Sequence, residues 1–166
     1  VKAPLWRMAW NDCQSRLGPD RFPAYAEFLE SSTDIYRHLQ SELLSAKNTR
    51  HLEELCDEDL WPIVRSAGAD FANVRREFGA ENCSIDWTST EAFVCSLSPP
   101  ETEEDSGKAG IYVGARIFAV MGMSFAPEQG LRYTIDDLIF KSDWDAENGV
   151  TQWKIAYIGG PTPPVE

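Results

Sequence analysis

The chain has two histidines, four cysteines and, over residues 81–166, five basic side chains. Each scarcity closes off a kind of chemistry. His38 and His51 have no neighbouring Asp or Ser partner in the sequence, so a Ser-His-Asp arrangement is not expected. Cys13, Cys56, Cys83 and Cys95 show no CxxC spacing and no adjacent His pair. They read as buried free thiols suited to a reducing compartment, and no metal site is expected. Gly-rich phosphate loops, HExxH and GxSxG are all missing, which argues against the common nucleotide, metalloprotease and hydrolase classes. No cofactor is expected. No apolar run approaches the ~20 residues that cross a bilayer as a helix.

What remains is an ordinary globular composition: 166 residues, 43% hydrophobic, 11% aromatic and 25% charged, enough for one domain with its own core. The formal net charge is −12, with residues 1–80 summing to −3 and residues 81–166 to −9. Such a surface repels phosphates, so nucleic acid is a poor default partner. A basic patch has material only in the first half, in Arg37, Lys47, Arg50, Arg65, Arg75 and Arg76. The chain begins at Val1 rather than Met, and the expectation is a fragment or a processed form.

Residues 1–30 mix Trp6, Met8 and Trp10 with Pro4, Pro19 and Pro23. Prolines interrupt helices and the indoles are costly to leave wet, so the reading is an N-terminal arm that docks on its own domain or on a partner. From Ser31 the period becomes helical. Ser32 or Thr33 can cap, and Ile35, Tyr36, Leu39, Leu43 and Leu44 share a face up to about Asn48. A short segment with Leu52 and Leu55 follows. A longer helix is predicted from about Asp57, with Pro62 in its first turn, a stripe of Leu60, Val64, Ala67, Phe71, Val74 and Phe78, and Gly79 as its C-cap.

After Gly79 the pattern turns extended. CSIDWTSTEAFVCSLS, IYVGARIFAVMGMSFAP and LRYTIDDLIFKSDW read as strands, PETEEDSGKAG as a solvated acidic loop, and Asn148-Gly149 as the turn into a last strand, VTQWKIAYIGG. Alternation in that strand puts Trp153, Ile155 and Tyr157 under the helices, with Lys154, Ala156 and Ile158 opposite. Helices first and antiparallel strands after define an α+β domain with helices on one face of a curved sheet. The expected organisation is therefore an arm over residues 1–30 and a single α+β domain over residues 31–166.

This order, with its polar turn and W-K-I strand, resembles the cone of the nuclear transport factor 2-like superfamily. Within it, IYRHLQSELLSAKNTRHLEELCDEDLWPIVRSAG and LRYTIDDLIFKSDWDAENGVTQWKIAYIGGPTPP resemble the domain shared by the mitochondrial inner-membrane import-motor adaptor and the membrane-facing mitochondrial large-ribosomal-subunit protein. The resemblance implies a non-catalytic adaptor or structural subunit at the matrix side of the inner membrane, associated with ribosomes or peripherally with the membrane, and in contact with protein subunits of a larger complex. The acidic charge departs from what anionic lipid or ribosomal RNA would select, which shifts the expectation toward protein partners. Trp6, Trp10, Arg37, Arg50, Arg75 and Arg76 are the candidate partner-binding residues.

The rival reading is a small-molecule isomerase, dehydratase or ligand-binding protein using the cone as a pocket. It needs an inward carboxylate and a phenol, and Asp86, Tyr112 and Tyr133 are its candidate residues, with Asp136 and Asp137 on opposite faces so that at most one points inward.

Overall fold

A computed structural model describes residues 3–45, 48–98, 110–125, 128–145 and 147–160. Of the expected acidic loop, residues 100–110, all but Gly110, the first residue of β2, lies outside the described residues, as do residues 161–166. The helices are α1 (Ala3–Leu17), α2 (Tyr25–Ser45) and α3 (Trp61–Phe78), with 3₁₀ turns at Arg50–Leu55 and Ala80–Asn82. The strands are β1 (Cys83–Ser98), β2 (Gly110–Phe125), β3 (Glu128–Asp145), β4 (Gly149–Val150) and β5 (Lys154–Gly159). They form one antiparallel sheet in the order β1-β2-β3, with β4 and β5 both pairing to β3. The architecture is α+β: N-terminal helices packed on one face of a curved antiparallel sheet, the arrangement expected of a nuclear transport factor 2-like cone.

The expected arm is instead a helix inside the fold. Pro4 lies in the first turn of α1, where a missing N–H costs nothing. Trp10 is 0% exposed, its ring set against Phe22 at 4.6 Å, Phe28 at 4.9 Å and Tyr25 at 5.8 Å, and its Nε1 donates to Pro23 O at 2.9 Å. The indole thus joins α1, the Pro23 turn and α2 in one core. No break falls at residue 30 either, because α2 begins at Tyr25 and runs through the expected cap. Ser32 and Thr33 are buried in mid-helix, and their hydroxyls donate back to Leu29 O and to Glu30 O. Hydroxyls can bond the preceding turn as readily as a helix N-terminus, and here the buried setting selects the former.

Helix α3 starts at Trp61 with Pro62 in its first turn and ends at Gly79, whose φ of 84° needs a glycine. Its buried stripe differs from the expectation: Leu60, Val64, Gly68 and Arg75 are buried, while Val74 and Phe78 are half-buried. Gly68 allows α3 to approach the connector, since a Cβ there would lie 3.0 Å from Thr49 Oγ1.

The last strand also departs from simple alternation. Ile139 pairs with Tyr157 but Phe140 pairs with Ile155, so a bulge at Ala156 changes the facing. Ile155 is fully buried, whereas Tyr157 points to the outer side with 48% of its surface exposed. Ile158, expected opposite Tyr157's core side, packs against the core. Beyond β5, the edge is covered by the connector: Cys56 bridges to Ile155, and Asp57 N donates to Ile155 O at 2.8 Å.

At the β3–β4 turn, Gly149 has φ 82°, and an added Cβ would overlap the backbone of Arg21, whose O accepts from Val150 N at 2.9 Å. Gly149→Ala is therefore expected to cost about 1–3 kcal/mol in urea unfolding, from both strain and overlap. Gly160→Ala meets nothing within 4 Å and is expected to stay within about 0.5 kcal/mol.

Candidate functional site

Strand β2 sorts its side chains strictly. Ile111, Val113, Ala115, Ile117, Ala119 and Met121 are buried beneath the helices. The intervening positions, Tyr112, Gly114, Arg116, Phe118, Val120 and Gly122, face away from them. The antiparallel register sets this second series beside Glu91, Phe93 and Ser96 of β1 and beside Leu131, Tyr133, Ile135, Asp137, Ile139 and Lys141 of β3.

Among the described residues, rings pack the helix side of the sheet. Phe28 packs edge-on to Phe140 at 5.6 Å and to Trp153 at 5.1 Å, and Tyr36 packs on Trp87 at 5.8 Å. The inward carboxylate is Asp136, and it is engaged: Tyr36 Oη donates to its Oδ2 at 2.6 Å and lies 3.2 Å from Thr134 Oγ1. Burial first, and then this bond to Asp136, hold the Tyr36 hydroxyl well above its ordinary value of 10.0. Tyr36 is fully buried, so the pair is an internal polar strut between α2 and β3.

The residues considered for a pocket are elsewhere. Asp86, Tyr112 and Tyr133 all lie on the outer face, with Tyr133 74% exposed and Tyr112 43% exposed. Asp86 borders an open depression of about 360 Å³ with Gly122, Met123, Ser124, Gly130 and Leu131. Neither phenol lines it.

The candidate partner-binding set is scattered. Trp10 is core, so it offers nothing to a partner, and Trp6 is half-buried against the core; the exposed apolar residues of α1 are Leu5 and Met8. Arg75 is buried and donates through Nη1 to Leu43 O at 2.6 Å and Leu44 O at 3.2 Å. It caps the carbonyl end of α2, where a cation is favoured, and is not available as a surface charge. Arg37 pairs with Asp34 at 2.7 Å, Arg76 bonds Ala72 O and Asn73 within α3, and Arg50 is exposed on the connector.

What the sequence reading missed is the outer face itself. Phe93, Tyr112, Phe118, Leu131, Tyr133, Ile135, Ile139 and Tyr157 are all more than a third exposed, and all lie on it. Phe93 and Phe118 meet edge-on at 5.8 Å. At about 200 Å² per aromatic side chain, the five rings alone leave about 500 Å² open, and the three aliphatic residues carry the patch beyond the ~600 Å² upper range for ordinary monomers. Near its centre Arg116 forks onto Asp137, with Nε to Oδ1 at 2.8 Å and Nη2 to Oδ2 at 3.0 Å. The two charges of this fork cancel each other; Asp86, Glu91 and Lys141 also stand on this face, and Lys141 lies 3.9 Å from Asp57. The signal was present in the sequence as apolar residues at both parities of β2 and β3, the mark of a strand meant to be covered on both faces.

No family profile matches the chain. No curated protein matches it. Among solved structures, the crystal structure of CagV, a VirB8 homolog of T4SS from Helicobacter pylori Strain 26695, aligns with 76% of this chain and 95% of that chain, at 14% identity and a TM-score of 0.29. A likeness this loose carries no argument about the chain.

Tyr36→Phe removes the hydroxyl that Asp136 accepts from and is expected to cost about 1.5–3 kcal/mol. The folded chain keeps a proton that the unfolded chain loses, so this contribution is intact below pH 10 and fades as pH rises above it. Denaturant unfolding across alkaline pH should show that decline in the native protein and a smaller one in Tyr36→Phe.

Proposed function

We propose that this chain is a non-catalytic assembly domain, a subunit of a larger protein complex, which pairs with a second copy of itself through the outer face of the sheet. The observation that carries this reading is the apolar patch running along β2 and β3, with the charges at its centre, Arg116 and Asp137, paired to each other. Its aromatic and aliphatic area approaches the ~800 Å² per partner of a standard interface. Two chains of charge −12 repel each other over most of their surface, and a largely apolar patch whose central charges pair with each other brings fewer like charges together than the acidic surface around it. The aromatic residues supply anchors of the kind that dominate interfaces, and the Arg116–Asp137 fork becomes more valuable once water is excluded.

The setting proposed for this subunit follows from the sequence resemblance: the matrix side of the mitochondrial inner membrane, alongside ribosomes. The acidic surface favours protein contacts there over direct contact with lipid or RNA.

Sedimentation of the pure protein at micromolar concentration is expected to give a dimer that tightens as salt screens the net charge. Phe118→Glu and Ile135→Glu are both expected to give monomers with unchanged circular dichroism, because neither side chain contributes to the buried core. A wild-type monomer throughout the concentration range, or variants that dimerise like wild type, would overturn the pairing.

A further inference from the structure

The chain's only two histidines meet in space although 12 residues separate them in sequence. His38 and Glu42 stand one turn apart on the same side of α2, and His51 arrives from the 3₁₀ turn Arg50–Leu55 within the connector between α2 and α3. Their ligand-capable atoms all lie within 4.8 Å of one another. His51 Nε2 is 3.1 Å from Glu42 Oε2, and the two imidazole rings have centroids 6.1 Å apart at an angle of 67°. The rings meet edge-on rather than stacked.

We propose that His38, Glu42 and His51 form a three-ligand site for a divalent transition-metal ion of the zinc class. Two imidazoles and a carboxylate suit zinc and its first-row neighbours and are a poor set for magnesium or calcium, which take oxygen ligands. Bonds of about 2.0–2.1 Å in a tetrahedron place donors about 3.3–3.5 Å apart. The Glu42–His51 distance is already near that range, and the His38 donor lies within 4.8 Å of both.

The backbones beneath the donors are held firmly. Leu39, Leu43 and Leu44 are buried under α2, Leu52 is fully buried under the 3₁₀ turn, and Arg75 clamps the carbonyls of Leu43 and Leu44. Such support fixes the ligand-bearing elements before the ion arrives. The depression beside His51 is lined by Glu53 and Glu54 as well as by Arg50 and Lys154, so its local charge is balanced and the affinity must come from the three ligands. A bound ion would tie α2 to the connector that covers the edge of β5, acting as a clip between the helical layer and the sheet.

The test is calorimetric titration of the metal-free chain with Zn²⁺ at neutral pH. One ion per chain is expected, with a micromolar dissociation constant and no response to Mg²⁺. At a hundredfold excess over that constant the melting temperature is expected to rise by about 5–10 °C. His38→Ala, His51→Ala and Glu42→Gln should each weaken binding at least tenfold while leaving the metal-free melting temperature unchanged, since all three side chains are at least partly exposed. With just two imidazoles in the chain, Co²⁺ should shift or broaden both sets of imidazole NMR signals together. Equal zinc affinity in wild type and in the His38→Ala/His51→Ala double variant, or an effect of Co²⁺ on one imidazole alone, would overturn the site and leave a surface His–Glu pair.

Discussion

The structure depends on β2, a strand covered on one face and apolar on both. Its inward side chains are small to medium, Ala115 and Ala119 among them, so the sheet cannot fill its own interior. Bulk must come from the helices, and Trp10, Phe22, Phe28 and Tyr36 provide it, each buried to within 1% of its surface. That demand explains why α1 is part of the domain. Without Trp10, the rings of Phe22, Phe28 and Tyr25 would lose the side chain they share, a loss of the size seen for buried aromatic truncations, about 3–5 kcal/mol.

The same packing sets what the molecule can do. Rings pack the helix side of the sheet, its inward carboxylate is paired to Tyr36, and the Tyr36–Asp136 strut and the Arg75 cap fix α2 against β3 and α3. Reactive-looking residues on the strands, Asp86, Tyr112 and Tyr133, are carried by alternation to the opposite side, where they join an apolar surface. The helices thus complete one face of the sheet and leave the other open, the surface proposed for a second copy.

Much of the fold was legible because period and order are local signals. Helical spacing gave α2 and α3, extended runs gave the three long strands, and Asn148-Gly149 marked the turn that Gly149 makes with positive φ. The errors share a physical cause, which is that tertiary contacts override local preference. Pro23 looked like a breaker of the N-terminal segment, but it precedes α2 and accepts a bond from Trp10. Ser32 and Thr33 looked like caps, but burial turned them onto their own helix. Tyr157 was expected inside, and one bulge at Ala156 reversed it. Arg75 was taken for a surface charge because no sequence pattern shows that the end of α2 lies across from it. His38 and His51 were treated as unrelated for the same reason, since their meeting is a product of the connector's path.

Cys95 offers the most direct probe of the central claim that the outer face is an interface between copies. Among the four thiols, Cys13, Cys56 and Cys83 are buried, and Cys95 alone is exposed. It occupies a bulge in β1, with Sγ 3.3 Å from where a Cβ on Gly114 would lie, so it sits on the outer face. Burial raises its pKa above 9.0, with Asp137 adding to the shift and Arg116 opposing it, so the unpaired thiol reacts slowly and measurably at mildly alkaline pH. The measurement is the rate of Cys95 alkylation as a function of protein concentration. The account predicts that the rate falls several-fold as the chain passes from monomer to dimer and that it stays high at every concentration in Phe118→Glu. A rate independent of concentration in the native protein would contradict it.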